Sequence, residues 1–131
     1  MTGGKGNTQE VLTMIDRNGI LQHIKETYSI ESEHLWMQYP DIEVFRHETH
    51  KKWFGIMMSL PKEKVGLEGE GNIEVLNIKC EPERAIFLSQ QPGFAPAYHM
   101  NKKHWISIVL NGTAPDALVF ELIDISYNLT R

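Results

Sequence analysis

The sequence predicts an α+β domain: one antiparallel sheet of about four to five strands, flanked by N-terminal and C-terminal helices. Apolar residues recur at helical spacing near both ends of the chain, at Ile20, Leu21, Ile24 and Tyr28 and again at Leu118, Leu122, Ile125 and Leu129. Between these stretches they alternate with the period of a strand, at Phe54, Ile56, Met58 and Leu60, at Leu76, Ile78 and Cys80, and at Ile106, Ile108 and Leu110. Strands therefore cluster in the middle and helices flank them. With 131 residues the chain fits one domain. It can bury about two-thirds of the surface its unfolded form exposes, so it needs no disulfide or metal to fold.

Residues 1–7 read as a flexible leader and 8–131 as the single domain. Thr8 can cap a helix reaching Met14 or Ile15. Asn18-Gly19 then reads as a helix stop, since both residues tolerate left-handed backbone. A second helix follows and ends near Ser29. Glu31–Pro40, with Leu35, Trp36 and Tyr39, reads as a turn of helix or a packed loop. Glu43–His47 and Trp53–Leu60 form a hairpin around the polar turn Glu48–Lys52, with Phe54, Ile56, Met58 and Leu60 sharing a face. Pro61–Asn72 contains three glycines and mixed charge, a mobile loop or turn from which a wing can project. Ile73–Cys80 is a third strand. Glu81-Pro82-Glu83 starts a helix, because proline is tolerated in a first turn and acids suit the positive dipole end. That helix runs to about Gln90, and Gln91–Pro96 breaks it. Trp105–Leu110 is a further strand, and Asn111-Gly112 a turn. Thr113–Asp116 resembles a capping box at the entry of the last helix.

Composition excludes several classes. Lys+Arg number 13 and Asp+Glu 17, a formal net charge of −4. The total gives no electrostatic reason for the chain as a whole to bind nucleic acid. The single cysteine, Cys80, rules out an intrachain disulfide framework and a multi-cysteine zinc site, and suits a reducing compartment. No apolar run reaches the ~18–20 residues of a membrane span, and the N-terminus lacks the apolar core of a signal peptide. The expectation is a cytoplasmic monomer without membrane association.

Candidate chemistry is sparse. His47, His50, His99 and His104 lack the spacing of a metal site, so no metal or cofactor is expected, and surface or capping roles suit them better. Cys80 precedes a helix start, which favours a thiolate, but Glu81 and Glu83 oppose one; a buried strand-end thiol is the better assignment. Gly66, Gly69 and Gly71 lack the lysine and helix of a phosphate loop. The glutamates show no acid/base couple and read as solvated. The charge distribution says more than the total. Residues 84–115 contain no acid but hold Arg84, Lys102 and Lys103, with His99 and His104 alongside Phe94, Tyr98, Asn101 and Trp105. Basic groups, amides and aromatics together suit an anionic ligand with flat groups. Lys51 and Lys52 form a second basic spot with Arg46 nearby. The plainer alternative makes Trp105 a core anchor, Lys102-Lys103 solvated, and Asn101 and His99 partners for loop backbone.

The runs Ala97-Tyr-His-Met-Asn-Lys-Lys-His-Trp105 and Asn77-Ile-Lys-Cys-Glu-Pro-Glu83, with Asn111-Gly112 and Asp124-Ile-Ser-Tyr127, resemble the MmcQ/YjbR-like family over residues 40–131. The resemblance implies an antiparallel sheet with helices on one side, similar to the frataxin-like (CyaY-like) arrangement. It also implies a non-enzymatic DNA-binding protein of double-wing type, in a family whose biochemical role is unsettled. By position, His99, Asn101, Lys102, His104 and Trp105 fill the signature run, Lys79 its strand-end lysine, and Ser126 and Tyr127 its closing pair. Frataxin-like iron binding would need an acidic helix ridge, which the first helix lacks. The expected function is weak DNA binding through Lys51, Lys52, Lys79, His99, Asn101, Lys102, Lys103 and His104. The alternative is a module for a small anionic ligand or a protein partner, with Lys79, Tyr98, His99, Asn101 and Trp105 around one pocket.

Overall fold

The computed structural model describes residues 15–131. The expected leader over 1–7 and the helix beginning at Thr8 lie outside those residues, apart from Ile15, which is not helical. In chain order the elements are α1 (Arg17–Tyr28), β1 (Glu43–Arg46), β2 (Trp53–Pro61), a single 3-10 turn (Lys62–Val65), β3 (Asn72–Lys79), α2 (Pro82–Ser89), β4 (Phe94–Pro96), β5 (Trp105–Val109) and α3 (Asp116–Thr130). The five strands form one sheet in the order β1-β2-β3-β5-β4, with every neighbouring pair antiparallel. The α+β class and single antiparallel sheet follow the sequence expectation.

The three helices of the described residues pack on one face of the sheet. Ile20 and Ile24 of α1, Ala85 and Leu88 of α2, and Leu122 and Ile123 of α3 meet Phe45, Met57, Leu76, Ile78, Ile106 and Ile108. Among the described residues the other face is covered without a helix. There Val44, Ile56, Met58, Val75 and Val109 lie under loop residues Trp36, Ile42, Val65, Leu67, Tyr98 and Met100. We call these the helix face and the loop face.

Several local details differ from the sequence expectation. Asn18-Gly19 is not a stop but lies in the first turn of α1, because Asp16 caps that helix by accepting the Gly19 amide at 2.9 Å. The helix ends instead at Ser29, in left-handed backbone at φ 60°. In β2 the strict alternation fails. The register moves from Phe45↔Gly55 to Arg46↔Trp53, leaving Phe54 as the extra residue of a bulge. Phe54 thereby joins Met57 on the helix face, while Ile56, Met58 and Leu60 stay on the loop face. Within Pro61–Asn72 a 3-10 turn buries Val65 against the loop face, and residues 68–72 are exposed. The segment Gln91–Pro96, expected to break the helix, contains the short edge strand β4. Gly93, at φ 90°, approaches so closely that a Cβ there would meet the Ala114 amide nitrogen at 2.9 Å.

The last helix is rotated from the expected stripe. Its buried residues are Val119, Leu122, Ile123, Ser126 and Thr130, and Leu129 is exposed. Polar bonds decide this. The Ser126 hydroxyl donates to the Phe54 carbonyl at 2.6 Å and accepts the Lys79 amide at 2.9 Å, so it ties the β2 bulge to the end of β3. One turn later Thr130 donates to the Ser126 carbonyl at 2.8 Å, leaving its oxygen to accept from His47 Nε2, also 2.8 Å away. The capping box does not form: Pro115 is the cap residue, and Asp116 accepts the Ile15 amide at 3.2 Å.

Two charged or titratable groups are more enclosed than their sequence context suggests. Glu43 is 7% exposed and pairs with Arg17, which also bonds Glu74 at 2.6 Å, clamping α1 to β1 and β3. Burial pushes the Glu43 carboxyl up, but hydrogen bonds from Ser32 and Arg17 outweigh it and hold it below the usual carboxylate range. His47 is 5% exposed rather than a surface residue. Burial, and then the neighbouring His50, push its imidazole below the ordinary value.

The His47 shift has a definite sign. The unfolded chain binds a proton at about pH 6.5, where the folded ring stays neutral, so unfolding gains protons and stability falls as pH drops through that range. Urea denaturation between about pH 7 and 5 checks this. The native protein should lose stability toward the acid side more steeply than His47→Gln, which carries no proton in either state.

Candidate functional site

The register gathers the predicted basic residues. Lys51 and Lys52 immediately precede β2, Lys79 closes β3, and Lys102, Lys103 and His104 immediately precede β5. Because β2, β3 and β5 are antiparallel neighbours, the start of β2, the end of β3 and the start of β5 lie at one end of the sheet. Lys79 pairs with Trp105, so both side chains belong to the loop face. Adjacent strands are about 4.8 Å apart, which places β2 and β5 roughly 10 Å from each other. Among the described residues, none of these five lysines has an ion-pair partner, whereas Arg46, at the same end, is committed to Glu33 at 2.7 Å.

Backbone geometry fixes the two turns that carry them. In the first, Lys51 adopts left-handed backbone at φ 65°, its amide donating to the His47 carbonyl at 3.1 Å. In the second, the Asn101 side-chain oxygen accepts the Lys103 amide at 2.9 Å, and its carbonyl accepts the amides of His104 at 3.1 Å and Trp105 at 3.0 Å. Asn101 thus shapes the lysine turn. The His104 carbonyl accepts the Cys80 amide at 2.9 Å, joining this turn to β3. Cys80 is 1% exposed and burial pushes its thiol up, so it is a protonated core residue.

On the loop face lie two adjoining concavities, which together run from the lysine end, at Trp53, to the far half of β2, at Leu60. One, about 370 Å³, is lined by Tyr39, Asp41, Ile42, Met58, Ser59, Leu60, Tyr98 and His99. The other, about 250 Å³, is lined by Trp36, Ile42, Trp53, Ile56, Met58, His99 and Met100. They share Ile42, Met58 and His99 and form one cleft with an apolar floor and aromatic walls. Trp36 meets Trp53 edge to face, with ring centroids 5.9 Å apart. Lys64 from the 3-10 turn places its Nζ 5.9 Å from the Tyr98 ring centroid.

The loop that bounds the cleft is held from beneath. Asn77, in the middle of β3, and Ser107, opposite it on β5, are both 0% exposed. The Ser107 hydroxyl donates to the Asn77 side-chain oxygen, and the Asn77 amide donates to the Tyr98 carbonyl at 3.2 Å. Immediately after this anchor, His99 adopts left-handed backbone at φ 65° and is exposed, its ring 4.0 Å from that of Tyr98. For a residue other than glycine that conformation carries a free-energy cost.

The sequence profile of the YjbR family matches residues 25–129. The chain belongs to the YjbR family. It is 42% identical over 118 residues to the uncharacterized protein YyaQ of Bacillus subtilis, covering 90% of this chain and 100% of that protein. YjbR of Escherichia coli K12 is 39% identical over 57 residues, 43% of this chain and 48% of the relative. A crystal structure of a Pseudomonas syringae protein superposes with a TM-score of 0.87 at 38% identity, covering 89% of this chain and 100% of that one. The Deinococcus radiodurans protein DR2400 superposes with a TM-score of 0.67 at 25% identity, covering 88% and 78% of the respective chains. The stretch matched by the family profile contains the whole lysine end and the whole cleft, whereas Arg17 precedes it.

Of the residues singled out in the sequence, Tyr98 and His99 line the cleft, while Lys79, Asn101 and Trp105 do not, so the expected five-residue pocket is not assembled as such. Trp36, Tyr39, Ile42 and Met58 are members that sequence reasoning missed, and Lys64 stands beside the cleft at the Tyr98 ring. Together they come from three separate segments, and their only local sign was the cluster of aromatics in Glu31–Pro40.

Truncating Asn77 to alanine should leave the Tyr98 carbonyl and the Ser107 hydroxyl without their buried partner. The expected loss is about 1–3 kcal/mol in chemical denaturation, with the largest amide shift changes in residues 97–104.

Proposed function

We propose that this YjbR-family protein is a non-enzymatic DNA-binding protein that takes backbone phosphates at the lysine end of its sheet. The observation that carries this reading is the convergence of Lys51, Lys52, Lys79, Lys102 and Lys103 on one end, from three antiparallel strands. His104 stands in the same turn as Lys102 and Lys103, and Asn101 sets that turn's shape. Ammonium groups without acidic partners attract phosphates and release counterions, which supplies affinity without reading sequence.

The same chemistry bounds the strength. A handful of lysines gives few phosphate contacts, and the chain carries a net charge of −4. Glu48 in the first turn and Glu81 after β3 lie close by along the chain. Binding is therefore weak, salt-sensitive and largely independent of sequence. Nothing in this arrangement calls for a nucleophile or a metal, and the protein acts here as a binding surface.

Fluorescence anisotropy with short labelled DNA at low salt tests the reading. The plot of log affinity against log salt should become shallower by about 0.7–0.9 for each lysine removed in Lys102→Ala and in the double variant Lys102→Ala/Lys103→Ala. Absence of binding at tens of micromolar protein, or an unchanged slope in the double variant, overturns it.

A further inference from the structure

We propose that the cleft on the loop face accepts one unstacked nucleobase of a single-stranded nucleic acid, while the lysine end holds phosphates farther along the same strand. This rests on the DNA-binding reading and assigns it a substrate class.

The lining matches the two chemical faces of a base. Ile42 and Met58 give an apolar floor, and Trp36, Tyr98 and the exposed Tyr39 give flat aromatic surfaces. Bases stack on such surfaces whatever their sequence. The polar edge of a base needs hydrogen-bonding groups at the rim, and Asp41, Ser59 and His99 stand there. A carboxylate such as Asp41 can accept from an exocyclic amino group. At about 370 Å³, the larger concavity alone falls within the size range of ligand sites.

The cleft is also wired to the phosphate-binding groups by the chain itself. Trp53 and Met100 line it, and Lys52 precedes the one while Asn101-Lys102 follows the other. Lys64 approaches from the opposite side, at the Tyr98 ring. A base seated between them leaves its sugar-phosphate chain between cations. A duplex cannot use the cleft, because its bases are paired and stacked.

His99 supplies the independent observation. It is exposed, its ring forms no hydrogen bond among the described residues, and its backbone is left-handed at φ 65°. It lies in a turn that glycine would adopt at lower cost, so the imidazole rather than the backbone is what this position retains. The anchored Tyr98 carbonyl holds the conformation and presents the imidazole where the two concavities meet. An exposed imidazole lining both concavities is a hydrogen-bonding group free to meet a ligand.

The experiment compares labelled oligo(dT), a duplex of equal length, and thymidine monophosphate, using anisotropy for the first two and tryptophan fluorescence for the third. The native protein should bind oligo(dT) more tightly than duplex. Tyr98→Ala should weaken oligo(dT) binding on the order of tenfold and leave duplex binding unchanged. His99→Gly relieves the backbone strain, so it should raise the thermal midpoint while weakening oligo(dT) binding, which separates loss of the site from loss of the fold. Equal affinity for strand and duplex, unaffected by either cleft variant but reduced by Lys102→Ala/Lys103→Ala, overturns the base pocket and leaves the DNA reading standing. No binding of any probe overturns both. Binding of thymidine monophosphate that Tyr98→Ala abolishes, with no binding of oligo(dT), overturns the strand as occupant and assigns the cleft to free nucleotides.

Discussion

The buried carboxamide of Asn77 is the interaction on which the loop face depends. A sheet whose central strands are apolar on both sides must be covered twice. Helices cover one side by satisfying their own backbone groups. Loops cannot do so, and each carbonyl they bury needs an outside partner. Asn77 provides that partner from the centre of β3, through its amide to Tyr98, and its own oxygen is in turn satisfied by Ser107. An apolar residue there would pack as well but would leave the covering loop without its anchor.

The same principle operates at both ends of the sheet. At the lysine end, the β2 bulge and the close of β3 each present a backbone group, and the Ser126 hydroxyl satisfies both. Together with His47 and Thr130 this fixes the rotation of α3. At the far end, Arg17 bridges Glu43 and Glu74 and pins α1 across β1 and β3. Burial of apolar area supplies most of the driving force but has no direction. The directional bonds select one arrangement of helix on sheet.

Function follows from where those constraints leave surface uncommitted. Arg46, Glu33, Arg17, Glu43 and Glu74 are used up in pairs, and the lysines at the end of the sheet are not. The formal charge of the chain is therefore a poor guide to its local field. From the lysine end along the loop face runs a cleft with aromatic walls, where loop side chains leave the sheet incompletely covered. A basic edge from which an aromatic cleft runs along the sheet is the surface on which the proposed binding of a polyanion carrying flat groups rests.

The periodicity of the sequence was enough for the α+β class, the central hairpin, β3, α2 and β5, because alternation and helical spacing are local consequences of having one buried face. The signature run was enough to mark residues 97–105 as special. Local pattern misplaced the start of α1, since Asn18-Gly19 signals a stop only where no cap precedes it, and Asp16 does. It misassigned Phe54 because a bulge changes the face of one residue without changing the pattern on either side of it. The stripe on α3 was misread because apolar spacing alone supports two neighbouring rotations, and the hydrogen bonds of Ser126 and Thr130 chose between them. The cleft was invisible for a related reason: Trp36, Met58, Lys64 and Tyr98 are far apart in sequence and meet only once the sheet is assembled. The sequence by itself determined which residue types lie in which segments. Tertiary structure decided which segments share an end or a face, because strand order and register depend on contacts between residues distant along the chain.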